Sequence, residues 1–354
     1  GQLMPPIMGA GAFIMSQWTQ IPYLTIVAVA FIPAIMYFLT VAFFIHLRAR
    51  KIGLQPMEKE EIPGLTAVLK EGWNFFIPII VLMGFLMYGF TPTFAACAGI
   101  GAIVVSSWMN RRTRMGLKDI TDALALGAQN MVTTGVILLC SGIVVGVVLL
   151  VGMGIKFSML ISSVAGGSVF LTIVLIALAS VILGMGLPVT ASYIVLAVLA
   201  APALTMLGSS LLAAHMLIFW YSQDANVTPP VCLAAYSAAG IGGSKPLKTG
   251  VEAWKLAKGL YVIPLLFVYT PILFEGSTIM VIETVVTAAL GLYCFAVFFE
   301  GFFLRRLGMF ERLFFSATAS LLLFPNLKLH LAGFLLFVLV FILEKFFTAR
   351  SRKG

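Results

Sequence analysis

Apolar runs of 16 to 27 residues, separated by short polar or basic stretches, recur along the whole chain. A membrane-crossing helix needs about 20 apolar residues, so this pattern predicts an all-α polytopic membrane protein. A half-span over 4–18 is followed by a full span over 22–47. Further spans are predicted at 73–90, 93–109, 131–152, 260–274, 278–304, 309–324 and 329–346. Between them, helical spacing of apolar residues predicts three amphipathic helices lying on the membrane surface. One lies within 51–72 and carries Ile62, Leu65, Val68 and Leu69. The second shows Leu117, Ile120 and Leu124 against Lys118, Asp119 and Asp122, and the third keeps Leu247, Val251 and Trp254 on its apolar face.

Two segments break this rhythm. Residues 169–204 are apolar throughout, too long for one crossing, and are interrupted by Gly184-Met185-Gly186-Leu187-Pro188. That predicts a re-entrant hairpin with its tip at mid-membrane. The apolar stretch 211–239 is interrupted by Trp220-Tyr221-Ser222-Gln223-Asp224-Ala225-Asn226-Val227-Thr228-Pro229-Pro230. Backbone leaves helical geometry at membrane depth only where it is buried in protein or lines a cavity, and an ionisable residue there is a functional-site hypothesis by default. The segment therefore reads as a broken helix that binds something.

Thr190 and Ser192 follow the first break, at a helix start whose free N–H groups can hold an anion. Around the second, Ser222, Gln223, Asp224, Asn226 and Thr228 supply oxygens suited to Na+ or to a proton-carrying site, with Na+ placed near Ser222, Asp224, Asn226 and Thr228. The lesser reading of Asp224 is a buried carboxylate paired within the protein for structure. His215, nine residues earlier, reads better as a hydrogen-bonded core residue than as a proton relay. Glu283 and Glu300 are expected to pair or snorkel, and His46 and His330 to sit at span ends.

The net charge of +9 looks at first like a nucleic-acid signal, yet the Lys and Arg residues sit in clusters between apolar runs. Positive residues bias loops to the cytoplasm. On the path above only Lys156 and Lys328 fall on the outer side, leaving 20 of the 22 on the inner one, with the C-terminus cytoplasmic. That count requires 169–204 to enter and leave on the same side. With 61% hydrophobic and 10% charged residues, no sizeable water-soluble domain fits. Cys97, Cys140, Cys232 and Cys294 lie in apolar runs without CxxC spacing and read as core packing. HExxH, a Gly-rich phosphate loop and an Asp-rich cluster are all absent from the sequence. An intramembrane enzyme would have only His215 and Asp224 to work with, and no cofactor is called for beyond a coupling ion.

An internal echo accompanies the breaks. Pro5-Pro6-Ile7 and Pro229-Pro230-Val231 each precede a short Ala-containing apolar helix, and Ile32-Pro33 and Ile263-Pro264 occur in the following spans. On the predicted path the two copies run in opposite senses, the layout of inverted-repeat transporters.

Three stretches carry a family resemblance: Gly184-Met185-Gly186-Leu187-Pro188-Val189-Thr190-Ala191-Ser192, Ser222-Gln223-Asp224-Ala225-Asn226-Val227-Thr228-Pro229-Pro230, and Gly1-Gln2-Leu3-Met4-Pro5-Pro6. They resemble the large, DctM-like membrane subunit of tripartite ATP-independent periplasmic (TRAP) transporters, most closely the fused permease working with TAXI-type solute-binding proteins. The resemblance implies an elevator-type inverted-repeat secondary transporter in the inner membrane. It would take an organic anion from an extracytoplasmic binding protein and import it with Na+ or H+. It implies a transport domain over 1–275, partial at its N-terminus, and a C-terminal membrane extension over 276–354. A small membrane subunit fused upstream is also implied, as is a missing first hairpin, since the chain opens on Gly1 without an initiator Met or signal peptide. Gln2, Pro5 and Pro6 map to the first repeat's loop; Gly184, Met185, Gly186, Pro188, Thr190 and Ser192 to the hairpin tip; Ser222, Gln223, Asp224, Asn226, Thr228 and Pro229 to the broken helix. A binding-protein-independent dicarboxylate carrier or antiporter is the alternative.

Overall fold

The computed structural model describes residues 1–55, 63–185 and 187–351. Among these residues sixteen α-helices follow one another: α1 (Gly9–Thr19), α2 (Tyr23–Ile52), α3 (Leu65–Gly72), α4 (Phe76–Met87), α5 (Pro92–Ser107), α6 (Leu117–Leu150), α7 (Met153–Val164) and α8 (Val169–Gly184). After the hairpin come α9 (Val189–Met206), α10 (Leu211–Ser222), α11 (Leu233–Gly242), α12 (Pro246–Leu256), α13 (Gly259–Tyr269), α14 (Thr278–Glu300), α15 (Met309–Leu323) and α16 (Leu327–Ser351). Among the described residues there is no β-strand, only one isolated bridge between Phe302 and Arg306. Among the described residues five helical segments are long and apolar enough to cross a membrane, or six if the bent pair of α6 and α7 makes one crossing.

The two predicted interruptions are present. α8 and α9 pack together as a hairpin, with Pro188 as the N-cap of α9; the predicted tip residue Gly186 lies outside the described residues, as does Ile62 of the first surface helix. α10 ends at Ser222, passes through a 3-10 turn at Gln223–Asn226, and regains helix only at Leu233. The interval contains Pro229 and Pro230, which offer no N–H and fix φ.

Three expectations need correction. The second surface helix and the span after it form one continuous helix, α6, 34 residues and so about 51 Å long. Only Gly127 weakens the junction, and a lone glycine costs a helix about 1 kcal/mol, too little to end it. The interval between that span and the hairpin, left without an element, holds α7, which turns by 75° from α6. The span over 278–304 stops at Glu300, where Gly301 takes φ 61° and a compact loop leads to α15. In addition, Cys97 and Cys140 are exposed, so core packing describes only Cys232 and Cys294.

α7 seats against α9 through a close approach. A Cβ on Gly154 would stand 2.9 Å from the Val198 carbonyl oxygen, and Ser158 Oγ donates to the Leu199 carbonyl at 2.7 Å. The obstacle is backbone, which cannot step aside. Gly154→Val is expected to destabilise the protein by about 1–3 kcal/mol, read as a lower thermal unfolding midpoint in detergent, with Gly154→Ala intermediate.

The main core centres on α10. Every residue from Ala213 to Ser222 is buried, so this helix is apolar all round because it touches protein on all sides. α1, α8, α9 and α13 surround it. Trp220 meets Phe267 edge to face at 5.1 Å, and Tyr193 meets Phe219 at 5.8 Å. A second core joins Phe44 and Leu47 of α2 to α14, α15 and α16.

Charges tie the ends of these helices. Arg48 pairs with Glu252 of α12 at 3.1 Å and with Glu300 of α14 at 3.4 Å, and Lys51 Nζ donates to the Glu300 carbonyl at 2.5 Å. Lys255 pairs with Glu252 at 2.8 Å, and that hydrogen bond, with the charges of Arg48, Lys255 and Lys258, holds Glu252 below the usual carboxylate range. Glu283 meets His330 at 2.7 Å. Both glutamates expected to pair therefore do so.

Candidate functional site

The break after α10 is organised by one carboxylate. The Asp224 carbonyl accepts the N–H groups of Val227 (3.0 Å) and Thr228 (2.9 Å), which folds the chain back over its own side chain. That side chain is 2% exposed. Its Oδ1 accepts hydrogen bonds from Thr228 Oγ1 and from the phenol of Tyr261 on α13. The two hydroxyls are themselves 2.7 Å apart, and the indole N–H of Trp254 on α12 donates to the Tyr261 oxygen at 3.2 Å. Among the described residues Asp224 makes no salt bridge.

The hairpin tip closes over this turn. A Cβ on Gly184 would come within 3.3 Å of the Ala225 Cβ and 3.6 Å of its backbone nitrogen, so any larger residue would have to push α8 and the turn apart. Between them lies a void of about 10 Å³, lined by Val181, Gly184, Met185, Asp224, Thr228 and Pro229 among others. A void of roughly 10–15 Å³ holds one water-sized sphere.

On the opposite side of the turn the first Pro-Pro loop approaches. Asn226 Nδ2 lies 3.4 Å from Gln223 Oε1 and 3.5 Å from Gln2 Oε1, long contacts that bring the loops carrying Gln2 and Asn226 together across 224 residues of sequence. Beside them opens a cavity of about 470 Å³, lined by Gln2, Leu3, Ile7, Tyr37, Gln223 and Asn226, among others, with no Lys or Arg lining it among the described residues.

The predicted residues thus separate into groups. Gly184, Met185, Asp224, Thr228 and Pro229 share the small void; Gln2, Gln223 and Asn226 share the larger cavity. Ser222 turns its hydroxyl back to the Ile218 carbonyl at 2.8 Å, so of the four oxygens expected around one cation only those of Asp224 and Thr228 converge. Pro188 caps α9, Thr190 is half-buried in its first turn, and the fully buried Ser192 hydroxyl has no hydrogen-bond partner. His215 bonds Tyr193 at 2.9 Å, in keeping with a core role.

The Pro-Pro echo extends to backbone geometry. Pro5 is buried and Pro6 half-buried. Two residues past each Pro-Pro pair, Met8 (φ 46°) and Cys232 (φ 44°) occupy the left-handed region, uncommon for non-glycine residues. Each N–H reaches back four residues, to Met4 and Thr228, at 3.3 Å in both cases. The carbonyl of each second proline accepts a tyrosine hydroxyl at 2.7 Å, from Tyr23 for Pro6 and Tyr236 for Pro230.

Residues 1–274 match the family model for the tripartite ATP-independent periplasmic transporter, DctM component. The chain belongs to the DctM family. A search of curated proteins found no match. As a DctM protein it is the large membrane component of a TRAP-type secondary transporter, a class that works with a small membrane subunit and a periplasmic binding protein. The matched region contains both Pro-Pro loops, the hairpin and the Asp224 turn. Sequence reasoning missed Tyr261 and Trp254. The one available signal was their seven-residue spacing, which sets two aromatic residues with polar tips where a surface helix meets a span.

Proposed function

We propose that this DctM protein imports an organic anion in symport with a cation, Na+ or H+, that sits on Asp224. The observation carrying the proposal is a carboxylate 2% exposed, held by two hydroxyls and facing no cationic side chain among the described residues. A buried charge costs several kcal/mol unless compensated, and hydroxyl donors supply no net positive charge. A proton or a dehydrated cation does. The void beside Asp224 has room for one such ion and none for an organic acid.

The cavity on the other face of the turn falls in the volume range of small-molecule sites, about 300–1,000 Å³. Since no Lys or Arg among the described residues lines it, a substrate carboxylate would be bound by the amides of Gln2, Gln223 and Asn226 and by the charge of the coupled cation. Ion and substrate then occupy two faces of one turn, so loading one face alters the field and geometry at the other. The hairpin, the paired loops and α10 form the moving unit of an elevator over 1–275, delivered to by a TAXI-type binding protein and joined by a fused small subunit. Residues 276–354 form a membrane extension. In this reading the protein lies in the inner membrane with its C-terminus cytoplasmic, and the Lys and Arg clusters between apolar runs support that orientation.

Reconstituted in proteoliposomes with its transporter partners, the protein is expected to accumulate a carboxylate solute under an inward Na+ or H+ gradient and to lose accumulation when that gradient is collapsed. Accumulation that survives collapse of both gradients would sink the proposal. Uptake without the binding protein would assign a free-standing carrier or antiporter instead.

A further inference from the structure

The chain from α12 to the carboxylate has a defined direction of donation. An indole N–H only donates, so Trp254 makes the Tyr261 oxygen an acceptor. The single phenolic proton is then directed to Asp224 Oδ1, and Thr228 adds a second donor to the same oxygen. Donation onto the Tyr261 oxygen polarises its O–H, since linked hydrogen bonds reinforce one another. It also disfavours the rotamer that would turn the proton away.

Hydrogen bonds to a carboxylate stabilise its charged form against protonation, and each occupies a lone pair that a metal cation would otherwise use, so both oppose loading. From this geometry we infer that Trp254 and Tyr261 form a release device: positioning residues that lower the affinity of Asp224 for its cation while α12 is docked as seen here. The inference rests on Asp224 being the coupling site. Movement of α12 that withdraws Trp254 weakens the Tyr261 donation and restores affinity, which links the surface helix to loading and unloading. Gly250 permits the docking, because a Cβ there would stand 2.8 Å from the Cys232 sulfur at the start of α11. The other titratable groups near the carboxylate are Tyr221 of α10 and Cys232, so among the described residues no acid, His, Lys or Arg competes in this role.

The test compares wild type, Tyr261→Phe, Trp254→Phe and Asp224→Asn in Na+ titrations against choline and in proton titrations, reading the half-saturating cation concentration for uptake. Tyr261→Phe is expected to lower it about tenfold, the loss of one hydrogen bond to a charged group, and Trp254→Phe about threefold in the same direction, while maximal rate falls because release slows. A merely structural role would reduce the rate without tightening the cation response. The emission of purified protein gives a second readout: a cation-dependent component present in wild type should vanish in Trp254→Phe and in Tyr261→Phe. An unchanged or weakened cation response in Tyr261→Phe, with Asp224→Asn losing its response, overturns this inference alone. A normal response in Asp224→Asn overturns the reading beneath it.

Discussion

Asp224→Asn is expected to reduce gradient-driven uptake by about 100-fold while leaving the thermal midpoint unchanged or raised. The two halves of that result have separate causes. An amide keeps the shape and can still accept from Thr228 and Tyr261, but it cannot hold a proton in exchange for a cation or neutralise Na+. Losing a charge-assisted contact of about 1.5–3 kcal/mol corresponds to roughly 10- to 150-fold in affinity. Folding responds in the opposite sense, because replacing a buried charge that has no cationic partner by a neutral isostere removes its desolvation cost. If Asp224 instead serves structure, the midpoint drops and uptake per folded molecule stays normal. Uptake is measured in proteoliposomes at matched protein content and the midpoint by thermal unfolding in detergent.

Gly184→Val is expected to lower uptake by at least about tenfold through the contact between hairpin and turn. The first added carbon already stands 3.3 Å from the Ala225 Cβ, tighter than ordinary contact, and the γ-methyls of valine extend further toward the turn. Overpacking of this kind costs about 1–3 kcal/mol when absorbed by backbone shifts, and here the shift would open the void at Asp224. The effect belongs to the pair. Ala225→Gly should therefore restore much of the loss in Gly184→Ala, giving a positive coupling in a double-mutant cycle. Independent, additive losses would place the action of Gly184 elsewhere.

Much of this architecture was legible because the membrane makes backbone breaks expensive. Gly184 to Pro188 and Trp220 to Pro230 stand out against apolar sequence, and both interruptions are where the chain leaves helix. The pairing of Glu283 and Glu300 and the core role of His215 followed from the same cost of isolated polarity. The misses have an equally physical origin. Periodicity reports which face of a helix is polar, not whether one helix ends before the next begins, so the sequence of α6 reads as two elements. α7 is bounded by Gly152 and Ala165, with Lys156 inside it, and shows no sustained apolar run to announce it. Tyr261 reaches Asp224 from 37 positions away and Trp254 in turn reaches Tyr261, a convergence set by how α12 and α13 pack rather than by any local pattern.

If Asp224 carries the coupling cation, cation exchange by the purified protein depends on that carboxylate. Na+ is added to purified wild type and Asp224→Asn in weakly buffered solution, with bound radioactive Na+ and released protons both counted. Saturable Na+ binding, or proton uptake and release in step with the substrate, is predicted for wild type and absent from Asp224→Asn. Equal cation binding and equal proton exchange in the two proteins would contradict the account.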